Sequence, residues 1–296
     1  MRILVTGASG MLGEPLVETF GADCIVTGLS RHRPANASAD WVEADIGKPA
    51  ELASALRSRR PDVIVHTAAL TNVDECERHP DLAARINRDA VTEIADFCSG
   101  SGARLVHVST DAVFDGTRVG RYTETDLAAP LNVYGRTKLE AEKVALQAQG
   151  LVLRTNIFGW RRGRADGLAE WILAGLRAGT TLTMFTDVFF TPIATQLLAP
   201  IIARCTRLEA HGLYHAGGSE AISKHEFSLR VAKAYGLSVT NVRAISVDDR
   251  PAAARRAKNM SLDSSKLERL LGTPLPGIDE SIAAWKERER VEKESQ

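Results

Sequence analysis

The feature that most constrains this chain is a glycine-rich turn directly after its first apolar segment. The run Thr6-Gly7-Ala8-Ser9-Gly10-Met11-Leu12-Gly13 follows a strand-like pattern at residues 3–6 and opens a helical pattern. Glycines at this spacing permit a tight turn, close approach of a pyrophosphate and packing of the helix on the strand. The helix N-terminus then offers N–H groups and a positive dipole end to phosphates. The turn predicts dinucleotide binding, with contacts at Gly7, Ser9, Gly10, Met11, Leu12 and Gly13; the alternative is a glycine-rich turn without a ligand.

Short apolar segments alternate with helical patterns throughout the first half of the chain. Strands are predicted at residues 3–6, 24–29, 63–67, 105–109 and 151–154, and helices at residues 11–20, 50–59, 82–99 and 133–149. Strands this apolar are typical of a parallel sheet that is covered by crossover helices on both faces. The sequence therefore predicts an α/β fold with a Rossmann-type doubly wound parallel sheet.

The pattern changes after about residue 155. Helices are predicted at residues 168–178, 196–208, 224–235 and 264–271, with short strands at residues 213–215 and 239–245. We therefore predict an NAD(P)-binding domain over residues 1–155 and a smaller C-terminal substrate-binding lobe over residues 156–296, interleaved with the sheet.

Composition excludes several other classes of function. The 37 basic and 37 acidic side chains balance, so no overall field attracts nucleic acid or an anionic membrane. The four cysteines are widely separated and the seven histidines show no paired ligand spacing, which argues against a metal site and a disulfide framework. No apolar run approaches the roughly 20 residues of a membrane span, and the chain opens directly into a strand. We expect a cytoplasmic protein.

The end of the second predicted strand indicates which dinucleotide is bound. Folds that bind NAD carry an acidic residue there, whereas this strand ends in Ser30-Arg31-His32-Arg33. A guanidinium pairs well with a phosphate, so the sequence predicts NADP(H), held at Ser30 and Arg31. An ordinary solvated basic loop is the alternative. Asp45, followed by Ile46, either faces the adenine or caps the next helix, and the sequence leaves both open.

A tyrosine and a lysine four residues apart suggest acid–base chemistry. Tyr134 and Lys138 lie one turn apart on the same face of a predicted helix. A nearby cation favours the phenolate, so we expect Lys138 to lower the pKa of the Tyr134 phenol towards the range useful for proton transfer. Because short motifs arise by chance, this pair needs support from other residues.

That support comes from the ends of two central strands. Thr110 follows one of them, where its hydroxyl could hydrogen-bond a substrate carbonyl, and Ala68 and Ala69 follow the other, beside the expected nicotinamide. A simple strand-end turn is the alternative at Thr110. His66 and His107 lie within these strands, and we expect them to be core histidines whose hydrogen bonds are satisfied.

Taken together, these motifs resemble the extended short-chain dehydrogenase/reductases. Within that superfamily the chain is most similar to the dTDP-4-dehydrorhamnose reductase group, and the similarity covers nearly the whole sequence. It rests on the glycine turn and the Tyr134/Lys138 pair, and on H-T-A-A at residues 66–69, T-N-V-D-E-C-E at 71–77, S-T-D-A-V-F-D-G at 109–116, P-L-N-V-Y-G at 130–135, R-T at 154–155, G-L-Y-H at 212–215 and N-M-S-L-D-S-S-K-L at 259–267.

The resemblance implies a reductase of a nucleotide-linked 4-keto-6-deoxy sugar that uses NADPH. Tyr134 would donate the proton, Lys138 would also hold the cofactor ribose, and Thr110 would orient the keto oxygen. Homodimers are common in the superfamily. The resemblance places substrate contacts at Thr71, Asp111, Asn156 and Trp160, and the candidates for binding the diphosphate are Arg161, Arg162, Arg164, Arg255 and Arg256.

Three neighbouring functions are weighed against this prediction. Related dehydratases carry Thr-Asp-Glu at the strand end, but here Ala112 follows Thr110-Asp111, so the eliminating glutamate is missing. An epimerase shares the catalytic residues, although such enzymes usually favour NAD. A non-catalytic NADP-binding regulatory subunit, like the β subunit of methionine adenosyltransferase, resembles the same group. The intact catalytic residues favour an enzyme.

Overall fold

A computed structural model describes residues 1–35, 37, 39–160, 167–249 and 257–294. Their strands are β1 (Arg2–Thr6), β2 (Ile25–Ser30), β3 (Asp40–Glu43), β4 (Val63–His66), β5 (Arg104–Thr110), β6 (Leu151–Thr155), β7 (Ile157–Phe158), β8 (Leu182–Phe185), β9 (Phe189–Phe190), β10 (Ile193–Ala194), β11 (Gly212–His215), β12 (Ile222–Ser223) and β13 (Val242–Ile245). Seven of them form one sheet in the order β11-β6-β5-β4-β1-β2-β3, and β1 to β5 pair in parallel. The predicted doubly wound α/β sheet is confirmed.

Helices follow most of the strands of this sheet. They are α1 (Gly13–Gly21), α2 (Pro49–Arg59), α3 (Val73–Arg78), α4 (Pro80–Ala84), α5 (Ala90–Ser101), α6 (Val133–Gln147), α7 (Leu168–Ala178), α8 (Thr195–Arg207), α9 (Lys224–Tyr235), α10 (Ser265–Leu271) and α11 (Ile278–Glu294). The predicted helix at residues 82–99 is wrong in one respect, because a π-helical turn, Arg85–Asp89, separates α4 from α5. The other predicted segments of the first half agree with the structure to within two residues.

The chain divides into two compact units, each assembled from three stretches. The first unit comprises Met1–Val113, Ala128–Arg154 and Ala199–Tyr214, and it holds almost all of the sheet. Its core joins apolar strand residues to the inner faces of α2, α5 and α6; it includes Leu4, Leu29, Ile64, Leu105, Val152, Leu52, Leu56, Val91, Ile94, Ala141 and Ala145. This apolar packing is what fixes the carboxyl ends of the strands.

The second unit comprises Phe114–Leu127, Thr155–Leu198 and His215–Gln296. Its core contains Phe158, Phe190, Phe227 and Trp285, whose rings meet edge to face. Helix α9 begins where predicted, and the Ser223 hydroxyl accepts a hydrogen bond from the Glu226 N–H at 3.0 Å. The division into an NAD(P)-binding domain and a substrate-binding lobe at residue 155 stays a prediction.

A buried ion pair joins α6 to β6 in the first unit. Arg154 donates to both carboxylate oxygens of Glu142, at 2.7 to 3.1 Å, and the Ser109 hydroxyl donates to the same carboxylate at 2.5 Å. Glu142 is 1% exposed and Arg154 is 4% exposed. Two charges can be held this deep only because each satisfies the other.

We expect Glu142→Gln to destabilise the protein strongly. The change leaves the Arg154 guanidinium charged and poorly paired in the core, which typically costs about 3–5 kcal/mol. Chemical denaturation would measure the free energy of unfolding. Lys48→Met is the matched control, because it breaks the fully exposed pair between Lys48 and Glu51 and should leave the midpoint unchanged. Equal effects of the two substitutions would contradict this view of the buried pair.

Candidate active site

The glycine turn packs tightly against the end of β4. Gly7 has a positive φ of 67°, and a side chain there would come within 2.8 Å of the Ala68 amide nitrogen. The Gly10 N–H donates to the Gly7 carbonyl at 2.8 Å, and Leu12 at the start of α1 provides no side-chain cap. The uncapped helix end and the glycines of the turn fit a dinucleotide pyrophosphate.

The segments after β2 and β3 carry further residues predicted to contact the dinucleotide, and those after β2 were predicted to favour NADP over NAD. The Ser30 hydroxyl donates to the His32 carbonyl at 2.7 Å, and Arg31 is exposed. The Asp45 carboxylate accepts a hydrogen bond from the Gly47 N–H at 2.9 Å and so closes the turn before α2, whose N-cap is Lys48. Asp45 is therefore not the N-cap itself, and its contact with the cofactor stays a prediction, as does that of the buried Ile46.

Residues from the stretch at 71–77 position the start of α6. The Glu77 carboxylate accepts a hydrogen bond from the Val133 N–H at 2.7 Å, and the Asn132 side chain accepts one from the Gly135 N–H at 2.8 Å. Cys76 packs in a small cluster with Val133 and Tyr134. These contacts satisfy N–H groups that a helix start otherwise leaves open, and they fix the first turn of α6.

Gly135 allows this first turn to approach the end of β5. A methyl group at Gly135 would collide with the carbonyl oxygen of Ala112. At this short distance the Tyr134 phenol comes close enough to Thr110 for the threonine to lower the pKa of the phenol. The Thr110 hydroxyl also contacts Asp111, at 3.1 Å, and accepts from the Ala112 N–H at 3.2 Å. The structure thus brings together three of the predicted site residues.

The Tyr134 phenol is a weaker acid than expected. Burial raises its pKa to about 12; its contact with Thr110 opposes this shift, and the negative charge of Asp111 adds to it. Lys138 makes no contribution. The prediction that Lys138 lowers the pKa of the phenol is therefore wrong for this structure, because the ammonium is directed elsewhere.

Lys138 is buried behind the end of β5. Its Nζ donates to the Val108 carbonyl at 2.8 Å and lies 3.2 Å from Nε2 of His107. Burial lowers the pKa of Lys138 to about 8, and the negative charge of Glu142, one helical turn further along α6, opposes the shift. The ammonium is therefore charged at neutral pH and loses its proton in the mildly alkaline range.

His66 and His107 are both core histidines, as expected, with exposures of 1% and 0%. Their rings are nearly parallel, with centroids 5.5 Å apart, and Nδ1 of His66 lies 2.8 Å from the Thr6 hydroxyl. Burial and then the charge of Lys138 lower the pKa of His66 to about 3, and the same causes place that of His107 well below its ordinary value. The expectation that all their hydrogen bonds are satisfied was wrong. Among the described residues, Nε2 of His66 and Nδ1 of His107 have no hydrogen-bond partner.

The sequence analysis missed Asn87, which lies in the π-helical turn. Its side chain accepts from the Leu70 N–H at 2.8 Å and donates to the Leu70 carbonyl and to the Thr137 hydroxyl. It thereby ties the loop after β4 to α6, between Tyr134 and Lys138. The available signal was an asparagine four residues after Ala83 and three before Ala90, a spacing that places it on the apolar face of the predicted helix.

The remaining predicted residues lie in different settings. Thr71 is exposed in the loop before α3. In the second unit, the Trp160 ring stacks on Trp285 with centroids 4.8 Å apart and donates to its carbonyl at 2.9 Å, while the Asn156 carbonyl accepts from the Ile193 N–H. The five candidate arginines for the diphosphate (Arg161, Arg162, Arg164, Arg255 and Arg256) lie outside the described residues.

The described part of the chain offers neither a metal-binding cluster nor a membrane-spanning helix. Within residues 1–35, 37, 39–160, 167–249 and 257–294, no cluster of three or more histidine, cysteine or acidic side chains could hold a metal ion. In the same ranges, no helix is both long and apolar enough to cross a bilayer.

Comparison with known proteins gives full-length matches. The RmlD substrate binding domain family matches residues 1–290. The dTDP-4-dehydrorhamnose reductase of Salmonella typhimurium is 34% identical over 93% of this chain and 94% of its own. Methionine adenosyltransferase 2 subunit beta of Bos taurus is 31% identical over 95% of this chain and 87% of its own. The solved dTDP-4-dehydrorhamnose reductase of Bacillus anthracis, in complex with NADP, is 25% identical, with a TM-score of 0.83 over 97% of this chain and 99% of its own.

We expect Gly135→Ala to lower the thermal unfolding midpoint by several degrees. The new methyl group must push α6 away from the Ala112 carbonyl, and overpacking of this kind costs about 1–3 kcal/mol. Gly100→Ala in α5 is the matched control. A side chain at this position meets no atom within 4 Å, and the substitution also removes a glycine from a helix. Differential scanning calorimetry would compare the two variants, and an unchanged midpoint for Gly135→Ala would rule out the close approach.

Proposed function

This chain belongs to the RmlD substrate-binding family, and we propose that it is an NADPH-dependent reductase of a nucleotide-linked 4-keto-6-deoxy sugar. The observation that carries the proposal is the close approach of the first turn of α6 to the end of β5, which brings Tyr134 beside Thr110, with Lys138 one turn further along α6. A phenol and a hydroxyl that converge at a strand end suit the protonation of a carbonyl oxygen. The likeness to dTDP-4-dehydrorhamnose reductases supports a sugar-nucleotide substrate.

The dinucleotide would be held by the first unit. Gly7, Gly10 and the uncapped start of α1 offer backbone to its pyrophosphate, and Arg31 offers a cation to the 2′-phosphate. Further contacts are proposed at Ser9, Met11, Leu12, Gly13, Ser30, Asp45, Ile46, Ala68 and Ala69. When bound, NADPH supplies the hydride for the keto carbon.

The protein residues supply the proton and the orientation. Because the pKa of Tyr134 is raised to about 12, the phenol keeps its proton at neutral pH and is available as a general acid. Thr110 would hold the keto oxygen beside the phenol. The Lys138 ammonium would bind the nicotinamide ribose.

Several finer assignments belong to the same proposal. Thr71, Asp111, Asn156 and Trp160 would contact the substrate, and the lobe over residues 156–296 would cover it. The sugar product would serve a deoxysugar pathway of the dTDP-rhamnose type in the cytoplasm, and the enzyme would act as a homodimer.

One rival function has an observation of its own. The bovine relative named above is a subunit of a methionine adenosyltransferase, and it matches this chain almost as well as the reductases do. A non-catalytic NADP-binding subunit would bind NADPH without turnover. A nucleotide-sugar epimerase is disfavoured by the exposed Arg31 where such enzymes usually carry an acid that binds NAD.

The decisive measurement is NADPH consumption by the purified chain with dTDP-, GDP- and UDP-linked 4-keto-6-deoxy sugars. We expect turnover with one of them and a loss of about 10²–10⁴-fold in kcat for Tyr134→Phe, which removes the general acid and keeps the ring. NADPH binding by fluorescence should be similar in both proteins. Tight NADPH binding without turnover on any of the three would favour the regulatory subunit.

A separate titration tests the cofactor preference. We expect Arg31→Ala to weaken NADPH binding about tenfold, the scale of one charged hydrogen bond, and to leave NADH binding unchanged. Arg57→Ala, an exposed arginine of α2 away from the glycine turn, serves as the control. Equal or tighter binding of NADH by the native chain would overturn the preference itself.

A further inference from the structure

Four polar residues form a continuous chain of contacts through the core of the first unit. They come from β1, β4, β5 and α6, and they connect the glycine turn to the catalytic lysine. Thr6 contacts His66 at 2.8 Å, the ring of His66 stacks on that of His107, and Nε2 of His107 lies 3.2 Å from Nζ of Lys138. The register of the sheet places His66 and His107 directly opposite each other on β4 and β5.

The contact between Lys138 and His107 dictates the protonation of the histidine. An ammonium can only donate hydrogen bonds, so Nε2 of His107 must accept and the ring must be neutral, with its proton on Nδ1. Among the described residues Nδ1 has no partner. A buried N–H without a partner is unfavourable, and it is the contact between Nε2 and Lys138 that places the proton on Nδ1.

His66 limits the freedom of the His107 ring. The Thr6 hydroxyl accepts long hydrogen bonds from the N–H groups of Thr67 and Ala68, at 3.3 and 3.4 Å, which leaves its own proton for Nδ1 of His66. His66 is therefore anchored on the last residue of β1, and its ring presents a flat face to His107. Stacking against an anchored ring restricts rotation of His107 and keeps Nε2 directed at the ammonium.

The geometry points to His107 as a positioning residue for Lys138: its neutral imidazole accepts a hydrogen bond from the buried ammonium, and the stacked, Thr6-anchored His66 holds it in that orientation. The Val108 carbonyl accepts a second hydrogen bond from Nζ. Two fixed acceptors leave the third N–H of the ammonium for the cofactor ribose. This inference concerns the same site as the proposed reductase and rests on that function for its kinetic test.

The charges around Lys138 fix the sign of the expected effect. His107 and His66 face it from the strands, and both are neutral. Glu142 faces it from the next turn of α6 and is paired with Arg154 of β6. Removing the acceptor at His107 destabilises the charged form of Lys138, so the lysine should lose its proton at lower pH.

The first test uses the native protein and needs no turnover. Long-range ¹⁵N–¹H spectra of histidine-labelled chain would report the tautomer of each ring, with His107→Gln used to assign the signal. We expect His107 to be neutral with its proton on Nδ1 from pH 6 to 7.5. A proton on Nε2, or a charged ring, in this range would overturn the proposal whether or not the chain is a reductase.

The second test compares two substitutions at His107. Phe keeps the ring that stacks on His66 but has no acceptor, whereas Gln keeps an acceptor. For His107→Phe we expect the alkaline limb of kcat/KM, near pH 8 in the native chain, to fall by about one pH unit and NADPH binding at pH 8 to weaken about tenfold. His107→Gln should restore both towards the native values.

The outcomes separate positioning from mere packing. If His107→Phe folds and keeps the native limb and the native NADPH affinity, His107 does not position Lys138. If His107→Phe fails to fold, His107→Leu replaces it in the same comparison with His107→Gln, and the tautomer still decides. If the native chain shows the expected tautomer and binds NADPH but does not turn over any of the sugars, the reductase function is rejected and the positioning role is not.

Discussion

The arrangement of this site depends on how closely α6 packs against the carboxyl end of β5. Gly135 has no side chain that would collide with the Ala112 carbonyl, and Glu77 and Asn132 fix the helix start. Tyr134 meets Thr110 because of this contact, and Lys138 enters the core one turn later. The buried pair between Glu142 and Arg154 anchors the following turn to β6. Successive turns of one helix therefore carry the proposed proton donor, a buried ammonium and the carboxylate of a buried ion pair.

Burial changes the acidity of the two ionisable groups on this face of α6. Burial raises the pKa of Tyr134 to about 12 and lowers the pKa of Lys138 to about 8, because it disfavours the charged form of each group. The phenol thus holds its proton firmly, and the lysine holds its proton less firmly than in water. The protein retains the ammonium through Val108, His107 and the carboxylate of Glu142, without any overall charge to assist it.

Much of this could be predicted from the sequence, because the motifs involved are local. The glycine turn, the apolar strands and the Tyr134/Lys138 spacing each depend on residues close together in the chain, and they predicted the sheet and the membership of the family. Contacts between distant segments could not be predicted in the same way. The direction of the Lys138 ammonium depends on His107, 31 residues earlier, and the pKa of Tyr134 depends on burial that no short pattern records. The spacing of apolar residues at residues 82–99 likewise did not predict the π turn.

That π turn has a consequence for how the sequence can change. A π turn accommodates one residue more than an α turn, and Asn87 lies buried within Arg85–Asp89, hydrogen-bonded to Leu70 and Thr137. Deleting a single residue here would rotate α4 relative to α5 by about 100°, so these bonds and the packing of one of the two helices could not both be kept. We therefore expect a change in the number of residues to be tolerated less well here than a substitution of the exposed Arg85.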